Sequence, residues 1–545
     1  MPQDRTSFAR SEAYLLGIDV GTGSARAGLF DRDGRMVAAD KRDIALWREG
    51  AEIAEQSSND IWSAVCEAVR GAVAKAGIEP SLVAGIGFDA TCSLVVLGDG
   101  GRPLPVGRSG NPERNIIVWM DHRAIEQAER INATRHKVLD YVGGVISPEM
   151  ETPKLLWLKE NLPDTYHAAW QFFDLADFLS WRATGDLSRS TCTVTCKWTY
   201  LAHENRWEPD YFRKIGLGDL PERDFAPIGQ SVVPPGTPVG QGLSGEAAAE
   251  LGLRPGTPVG AGLIDAHAGG IGTVGADGEP EKNLAYVFGT SSCTMTTTRD
   301  PVFIPGVWGP YFQAMVPGMW LNEGGQSAAG AAIDQLLSFH PASAEAKQEA
   351  KAAGTSLPGW LSERARQAVS DPSEAAMLAR GLHVVPEFLG NRAPFADPHA
   401  RAVIAGLGME QDVSSLVSLY IAGICGIGYG LRQILETQDR AGAIVERIMI
   451  SGGAGQDPLV RQILADAAGR PVLGSQVEEP VLLGAAILGA VASGLYPDIV
   501  TAMGSMSGTS ADYQPAGGAI ATEHEARYRA FLSLQQAARD VRAAS

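Results

Sequence analysis

The chain has 545 residues, 45% apolar and 20% charged, with a formal net charge of −18. That length is too great for one hydrophobic core and predicts two large domains of ordinary globular composition. So acidic a chain lacks the basic footprint that nucleic-acid binding requires, although backbone amides and a metal can still give a small phosphorylated ligand a local positive field.

The opening run MPQDRTSFARSEAY has no apolar core segment, so no secretory signal is expected. From Ala13 to Ile44 apolar runs alternate with a Gly-Thr-Gly-Ser turn and an Asp-Gly turn at Asp33–Gly34, which reads as three strands joined by two hairpins. A helical period follows over Ile61–Ala76, and Ser81–Gly98 returns to strands. The six cysteines (Cys66, Cys92, Cys192, Cys196, Cys293 and Cys425) include no CxxC pair and no zinc-spaced cluster with histidine. Buried thiols in a reducing compartment are expected, with Cys92 set apart because it lies in a motif. The longest uncharged apolar stretch, Pro480–Pro497, is rich in Gly and Ala and predicts a buried helix rather than a membrane span. A soluble, cytoplasmic protein is the expectation.

The second half echoes the first. Gly289-Thr290-Ser291-Ser292 falls on Gly21-Thr22-Gly23-Ser24, and Pro258–Gly270 resembles Arg447–Pro458 in running from a strand into a Gly-rich turn and a helical segment. The pattern predicts an α/β unit present twice, with a ligand cleft between the copies and a boundary near Thr273–Glu281. On this overlay Asp19 aligns with Val287, so the turn is kept in both copies and the carboxylate in one.

No GxxxxGK[ST] loop and no complete GxGxxG follow a strand. Phosphates must then be gripped by hairpin turns, whose glycines let backbone N–H groups come close to an oxyanion. Asp19, at the end of a strand beside such a turn, either caps local amides or holds Mg²⁺, a cation that takes one or two carboxylates and completes its shell with water and phosphate. Asp265, in GLIDAHAGG, either caps the next helix or accepts a hydroxyl proton during phosphoryl transfer. The overlay sets it opposite Gly452–Gly455, where glycines admit a nucleoside or phosphate. His267 competes for the base role, and a satisfied structural histidine is the alternative.

The opening GIDVGTGSAR, the GLIDAHAGG acid, the FGTSS turn and ISGGAGQDPLVRQILAD together resemble the FGGY carbohydrate kinases, from about Tyr14 to about Tyr496. That family belongs to the sugar kinase, Hsp70 and actin superfamily, so the resemblance implies an α/β fold of two duplicated ribonuclease H-like domains, 12–276 and 277–545, with an interdomain cleft. The first would carry the sugar, the base and the metal, and the second the nucleotide. The resemblance implies ATP and Mg²⁺, with Asp19 serving the metal and Asp265 the base. Thr22, Gly23, Ser24 and Arg26 would serve the phosphate end, Gly289, Thr290 and Ser291 the terminal phosphate, and Gly452, Gly453, Ala454 and Gln456 the adenosine. It also points to a homodimer.

Within the family, FDATCSLV (Phe88–Val95) is similar to the Thr-Cys-Ser signature of the D-ribulokinase branch, where glycerol kinases carry an Arg-Glu pair. Thr91, Cys92, Ser93, Trp119, Asp121, Lys197, Asp265 and Glu323 are the implied sugar contacts. Trp119 has core packing, Asp121 a pairing with Arg123, and Lys197 a solvated surface as alternatives. Pro153–Asn161 fits the family's Lys-x-x-Trp pattern, with Glu151 where that pattern has a small residue or Pro, and Ala402–Ala422 fits the second family pattern loosely. The expected reaction is ATP-dependent phosphorylation of D-ribulose to D-ribulose 5-phosphate, with L-ribulose, xylulose and ribitol as alternative acceptors. A nucleotide switch or sugar sensor on the same superfold is the non-enzymatic alternative, and the Asp265, Asp121, Lys197 and Glu323 set favours an enzyme.

Overall fold

The computed structural model describes residues 13–50 and 52–544. The opening run on which the absence of a signal is expected lies mostly outside them. Strands β1 (Tyr14–Val20), β2 (Ser24–Phe30) and β3 (Met36–Asp43) form the expected double hairpin. Gly34 makes the second turn possible at φ +81°, a left-handed conformation that a side chain disfavours. Helix α1 (Ser58–Ala76) starts a turn earlier than its hydrophobic period predicts, because the Ser57 side chain caps the Asp60 amide, and it stops at left-handed Gly77.

Strand β4 (Val83–Ala90) lies parallel to β1, and β5 (Val259–Ile264) lies parallel to β4, giving a sheet ordered β5-β4-β1-β2-β3. Two short strands before α1 and further ones between β4 and β5 build a second sheet, and a helical layer between β4 and β5 includes α2 (Thr191–Trp198). Strand β5 runs directly into α3 (Asp265–Val274). In the second half, β6 (Asn283–Phe288), β7 (Ser292–Thr298), β8 (Trp308–Phe312) and β9 (Trp320–Gln326) precede α4 (Gly330–Ser338) and the long helix α5 (Val413–Ala441). Then come β10 (Arg447–Ser451), β11 (Val472–Ser475), α6 (Pro480–Ala492) and β12 (Thr509–Tyr513). This sheet is ordered β8-β9-β7-β6-β10-β11-β12. Its inner five strands, β9-β7-β6-β10-β11, repeat β3-β2-β1-β4-β5 with the same parallel and antiparallel pairings.

The duplication is therefore real, but two details of the sequence overlay change. Strand β10 pairs with β6 and so takes the place of β4, not of β5. The Gly452 turn is thus the counterpart of the Ala90–Ser93 segment, and the counterpart of Asp265 lies beyond β11. A strand feeding a Gly-rich turn reads the same from sequence whichever neighbour it pairs with, and pairing is what sets its place. The turns also differ in length. Gly21–Ser24 separates paired Val20 and Ala25, whereas Gly289–Ser291 separates paired Phe288 and Ser292. Ser291 rather than Ser292 matches Ser24, and both turns close through a glycine N–H donating to that serine carbonyl at 3.0 Å.

The stretch read as a buried helix is α6, and it packs on the sheet of the other half, against β1 and β4. Its backbone approaches so closely that a Cβ at Gly17, Gly87 or Gly484 would strike main-chain atoms. Helices α3 and α6, the equivalent helices of the two halves, meet along this line, and one apolar core continues through it from Leu263 and Ile271 to Leu483, Ile487 and Met295. Helix α5 is long and apolar enough to cross a membrane, but most of it is buried inside the second half. All six cysteines are free, five of them buried.

Candidate active site

The carboxyl ends of β1, β4 and β5 converge at one edge of the first sheet, where open α/β sheets bind ligands. Asp19 and Asp89 sit side by side in the β1–β4 register, and Asp265 begins α3 one residue past the end of β5. Asp89 is fully buried and neither of its oxygens has a hydrogen-bond partner. Burial, then the charge of Asp19, pushes its carboxyl well above the ordinary range. Asp265 is less enclosed. Burial and then Asp19 push its carboxyl up to about 6, while the Ala266 amide, donating to Oδ1 at 2.7 Å, His267 and Lys197 pull it back. That places Asp265 where a general base is most useful, ionised at neutral pH yet basic enough to take a proton.

In front of these strand ends is a cavity of about 450 Å³, lined by Asp19, Thr22, Gly23, Ser24, Arg26, Asp265, Gly289, Thr290 and Ser291. The two hairpin turns thus face one space from opposite halves. The floor behind Gly289 is rigid, because the Ala329 and Ala331 amides at the start of α4 donate to Thr290 O at 2.9 and 3.1 Å. An added Cβ at Gly23 or Gly453 would meet nothing within 4 Å, so bare backbone faces open space at both positions. Gly452 (φ +90°) turns the chain out of β10 against Phe288 O, and Gly453–Gln456 follows as a short helical turn. Open backbone and hydroxyl-bearing turns fit a polyphosphate that needs many weak donors.

Arg26 lines the same cavity but is already engaged. Its Nε donates to Asp19 Oδ2 at 2.7 Å, a second guanidinium nitrogen reaches the same oxygen, and Nη1 meets Glu479 Oε2 at 2.7 Å. Glu479 stands at the start of α6, so this guanidinium ties the two halves together beside Asp19. Among the described residues no group of three or more His, Cys, Asp or Glu could hold a metal alone. A single carboxylate beside a phosphate-sized cavity fits Mg²⁺, which draws most of its shell from water and phosphate.

Deeper in, the sugar-type residues assemble around Thr91, Cys92 and Ser93. The Thr91 and Ser93 hydroxyls are 3.1 Å apart, and the Trp119 amide donates to Ser93 Oγ at 3.1 Å. The Trp119 indole N–H donates to Thr22 Oγ1 at 3.0 Å, which couples this wall to the Gly21–Ser24 turn. Lys197, on α2, is buried rather than solvated and stands 5.6 Å from the Trp308 ring centre. Burial opposes its charge, but Cys92, Glu323 and Tyr311 outweigh that and hold it above the usual lysine range. Glu323, on β9, is pulled down to about 2 against its own burial by His267, Lys197 and Arg392. Lys197 and Glu323 therefore bring a buried cation and a buried anion close together, a donor and an acceptor of the kind a polyhydroxylated ligand uses.

Asp121 does not join them. Its oxygens accept the Ala54 amide at 2.8 Å, the Arg123 amide at 2.9 Å, and Arg123 Nε and Nη2 at 2.8 and 2.7 Å. The side chain is fully buried, and Arg123 continues to Glu55 at 2.9 Å. Four donors leave it nothing to offer a sugar, so the pairing alternative is the correct one: Asp121 is a structural carboxylate. Glu151, which departs from the family pattern, is also buried, 3.4 Å from Lys154; burial pushes its carboxyl up to about 7, with Lys154 and Lys197 pulling it back.

Several residues of the site have no sequence signal. Arg392 also approaches Trp308, 5.7 Å from the ring centre, and arrives from a loop with no motif spacing. Glu149, paired with His122 at 3.2 Å, is held below its ordinary range by His122, Lys197 and Arg392 against burial. Asp89 is visible as an acid inside an apolar strand, two residues before Thr91-Cys92-Ser93, and that is the available clue.

Residues 14–272 match the model for the N-terminal domain of the FGGY family of carbohydrate kinases, and residues 284–493 match that for its C-terminal domain. A human protein named FGGY carbohydrate kinase domain-containing protein is 46% identical over 91% of this chain and 92% of its own length. A Saccharomyces cerevisiae protein named D-ribulokinase is 38% identical over 88% of this chain and 72% of its own. Among solved structures, a xylulose kinase from Lactobacillus acidophilus superposes with a TM-score of 0.78, at 21% identity, over 96% of this chain and 98% of that one. At that identity the likeness shows the fold alone.

Proposed function

This chain belongs to the FGGY family of carbohydrate kinases, and from that premise we propose that it transfers the γ-phosphoryl group of ATP to the terminal 5-hydroxyl of D-ribulose. The observation that carries the reading is the gathering of Lys197, Glu323 and Asp265 near Cys92, one cation, one anion and one base close enough for their charges to act on one another. Lys197 donates to the ketose oxygens and Glu323 accepts from its hydroxyls. A site of this kind rejects an analogue lacking a hydroxyl because its buried polar groups go unpaired. The name of the yeast relative supports the same acceptor.

In this reading Asp265 accepts the proton of the attacking hydroxyl as the new O–P bond forms and the bond to the β-phosphate oxygen breaks, releasing ADP. Gly21–Ser24 and Gly289–Ser291 present amides and hydroxyls to the phosphate oxygens from both sides, and such preorganised donors lower the barrier where charge develops. Gly452, Gly453, Ala454 and Gln456 form the surface for the nucleoside. Mg²⁺, when bound, is held by Asp19 and neutralises phosphate charge. The Arg26–Glu479 contact brings the two halves together over the reacting groups and so excludes water.

The test is kcat/KM for D-ribulose, L-ribulose, D- and L-xylulose, ribitol, erythritol and glycerol, by ADP release at fixed ATP and Mg²⁺. D-ribulose is expected to lead. Glycerol or xylulose ahead by tenfold, about 1.4 kcal/mol of transition-state preference, would overturn the acceptor assignment.

A further inference from the structure

A hydrogen-bonded chain crosses the junction between the halves behind the acceptor pocket. Cys192 Sγ on α2 accepts the amide of Ile264, the residue before Asp265, at 3.4 Å. The same sulfur lies 3.0 Å from His267 Nδ1, and His267 Nε2 lies 3.3 Å from Glu323 Oε2 on β9. The other Glu323 oxygen accepts the Cys293 thiol at 3.5 Å. Relative exposures are 0% for Cys192, 1% for His267 and 7% for Glu323.

The composition is that of a nucleophile–base–acid triad, but a sulfur with no exposed surface cannot reach a substrate, so the chain is not one. It also differs from a satisfied structural histidine, because its two ends belong to different halves of the fold. With both ring nitrogens engaged, the imidazole can neither rotate nor flip without leaving a buried polar atom unpaired, a cost of about 1–3 kcal/mol. Cys192 and Glu323, flanking the ring, outweigh burial and raise its basicity, so that Nε2 donates to the ionised carboxylate.

We propose that His267 is a positioning residue for the acceptor: anchored in the first half by Cys192, it reaches across the junction and sets the orientation of Glu323 in the second. The acceptor's hydroxyls are then read by Glu323 only when the halves are in register, which links acceptor binding to the closed arrangement. The inference rests on the reading of Glu323 as an acceptor contact.

The experiment is a double-mutant cycle of His267→Ala and Glu323→Gln, with His267→Gln alongside, at saturating ATP. The acceptor is whichever member of the panel above the wild type uses best, so a failure of the D-ribulose assignment shows in the wild-type panel and a failure of the strut shows in the cycle. His267→Ala is expected to raise the acceptor KM about tenfold, with kcat and the ATP KM little changed, and to add nothing in the Glu323→Gln background. His267→Gln, whose amide reaches towards the Nε2 position, should recover part of the loss. Should His267→Ala fail to fold, Cys192→Ser carries the test: a smaller rise in acceptor KM that likewise vanishes in Glu323→Gln. Independent, multiplying effects of the two substitutions would overturn the proposal. So would a fall in kcat at unchanged acceptor KM, which would assign His267 to proton transfer beside Asp265.

Discussion

The two halves share a strand order and a pair of turns, and they differ in charge at the places that correspond. In the first, the β1–β4 register sets Asp19 beside Asp89; in the second, the same register sets Val287 beside Ser451. Strand β5 runs straight into Asp265 at the head of α3, whereas Gln476–Glu479 separates β11 from α6. Burial and then the charge of Asp19 raise the carboxyls of both Asp89 and Asp265. A second such cluster would repel a polyphosphate from both sides of the cleft. Both copies keep the hairpin turn, whereas the carboxylates at the strand ends stand in the first half alone; the second half contributes Glu323 from a different strand.

Removing the base should break that division most severely. Asp265→Asn is expected to lower turnover by about 10²–10⁴, with nucleotide and acceptor affinity retained. The pH profile gives the sign independently. Because the carboxyl is raised to about 6, the ionised form that accepts a proton is present above that pH and is lost as pH falls through it. Wild-type kcat/KM should therefore drop on the acid side near pH 6, well above where an ordinary aspartate titrates, at about 3.9. The residual activity of Asp265→Asn should lack this limb. Near-normal turnover in the folded variant would move the base elsewhere.

The next test asks whether the asymmetry between Asp19 and Val287 matters. Asp19→Asn keeps the shape of the side chain and removes its charge. It should cut turnover by about a hundredfold, in the range for a lost electrostatic contact to the reacting phosphate, and raise the Mg²⁺ concentration needed for half-maximal rate. Adding Val287→Asp to that variant should restore nothing, since Val287 lies across the cavity without Asp89 and Asp265 beside it. Rescue by Val287→Asp would mean that the cleft is electrostatically symmetric and that the division of labour is wrong.

Much of this was legible in the sequence. The duplicated unit, the opposed turns, Asp19 against Val287, and Asp265 at a strand-to-helix junction all follow from local pattern, because strands, hairpins and small-residue turns leave local signatures. What the sequence hid is pairing. The overlay set Gly452 opposite Asp265 because both follow a strand and precede a helix, and only the β6–β10 pairing shows that β10 stands where β4 does. Asp121 was hidden for a similar reason. An acid two residues from an arginine either reaches a ligand or turns back on its neighbour, and here the Ala54 amide from another strand decides the matter. Arg392 and the Cys192–His267–Glu323 chain assemble from segments more than fifty residues apart, beyond the reach of any spacing argument.

The smallest expected effects come from methyl groups, and they separate the two uses of glycine in this fold. Gly484 on α6 presses on the backbone of α3, where an added Cβ would lie 2.5 Å from the Ala268 carbonyl carbon and closer still to its oxygen. Neither side is a flexible side chain, so the helices must part. Overpacking of this kind costs about 1–3 kcal/mol, against about 1 kcal/mol regained when alanine replaces glycine in a helix. Gly484→Ala should therefore lose up to about 2 kcal/mol, read as a lower denaturant midpoint at unchanged slope. Because α3 begins at Asp265, turnover should fall with it. Gly453 has an ordinary backbone conformation and nothing within 4 Å of an added Cβ. Gly453→Ala should leave stability within about 0.5 kcal/mol and act only where a ligand's surface would lie, raising the KM for ATP and leaving that for the acceptor alone. If both glycines behaved alike, either losing stability together or both sparing it, the second half's open backbone would be packing rather than a nucleotide surface. If Gly453→Ala raised the acceptor KM instead, the sugar and nucleotide would have to exchange halves.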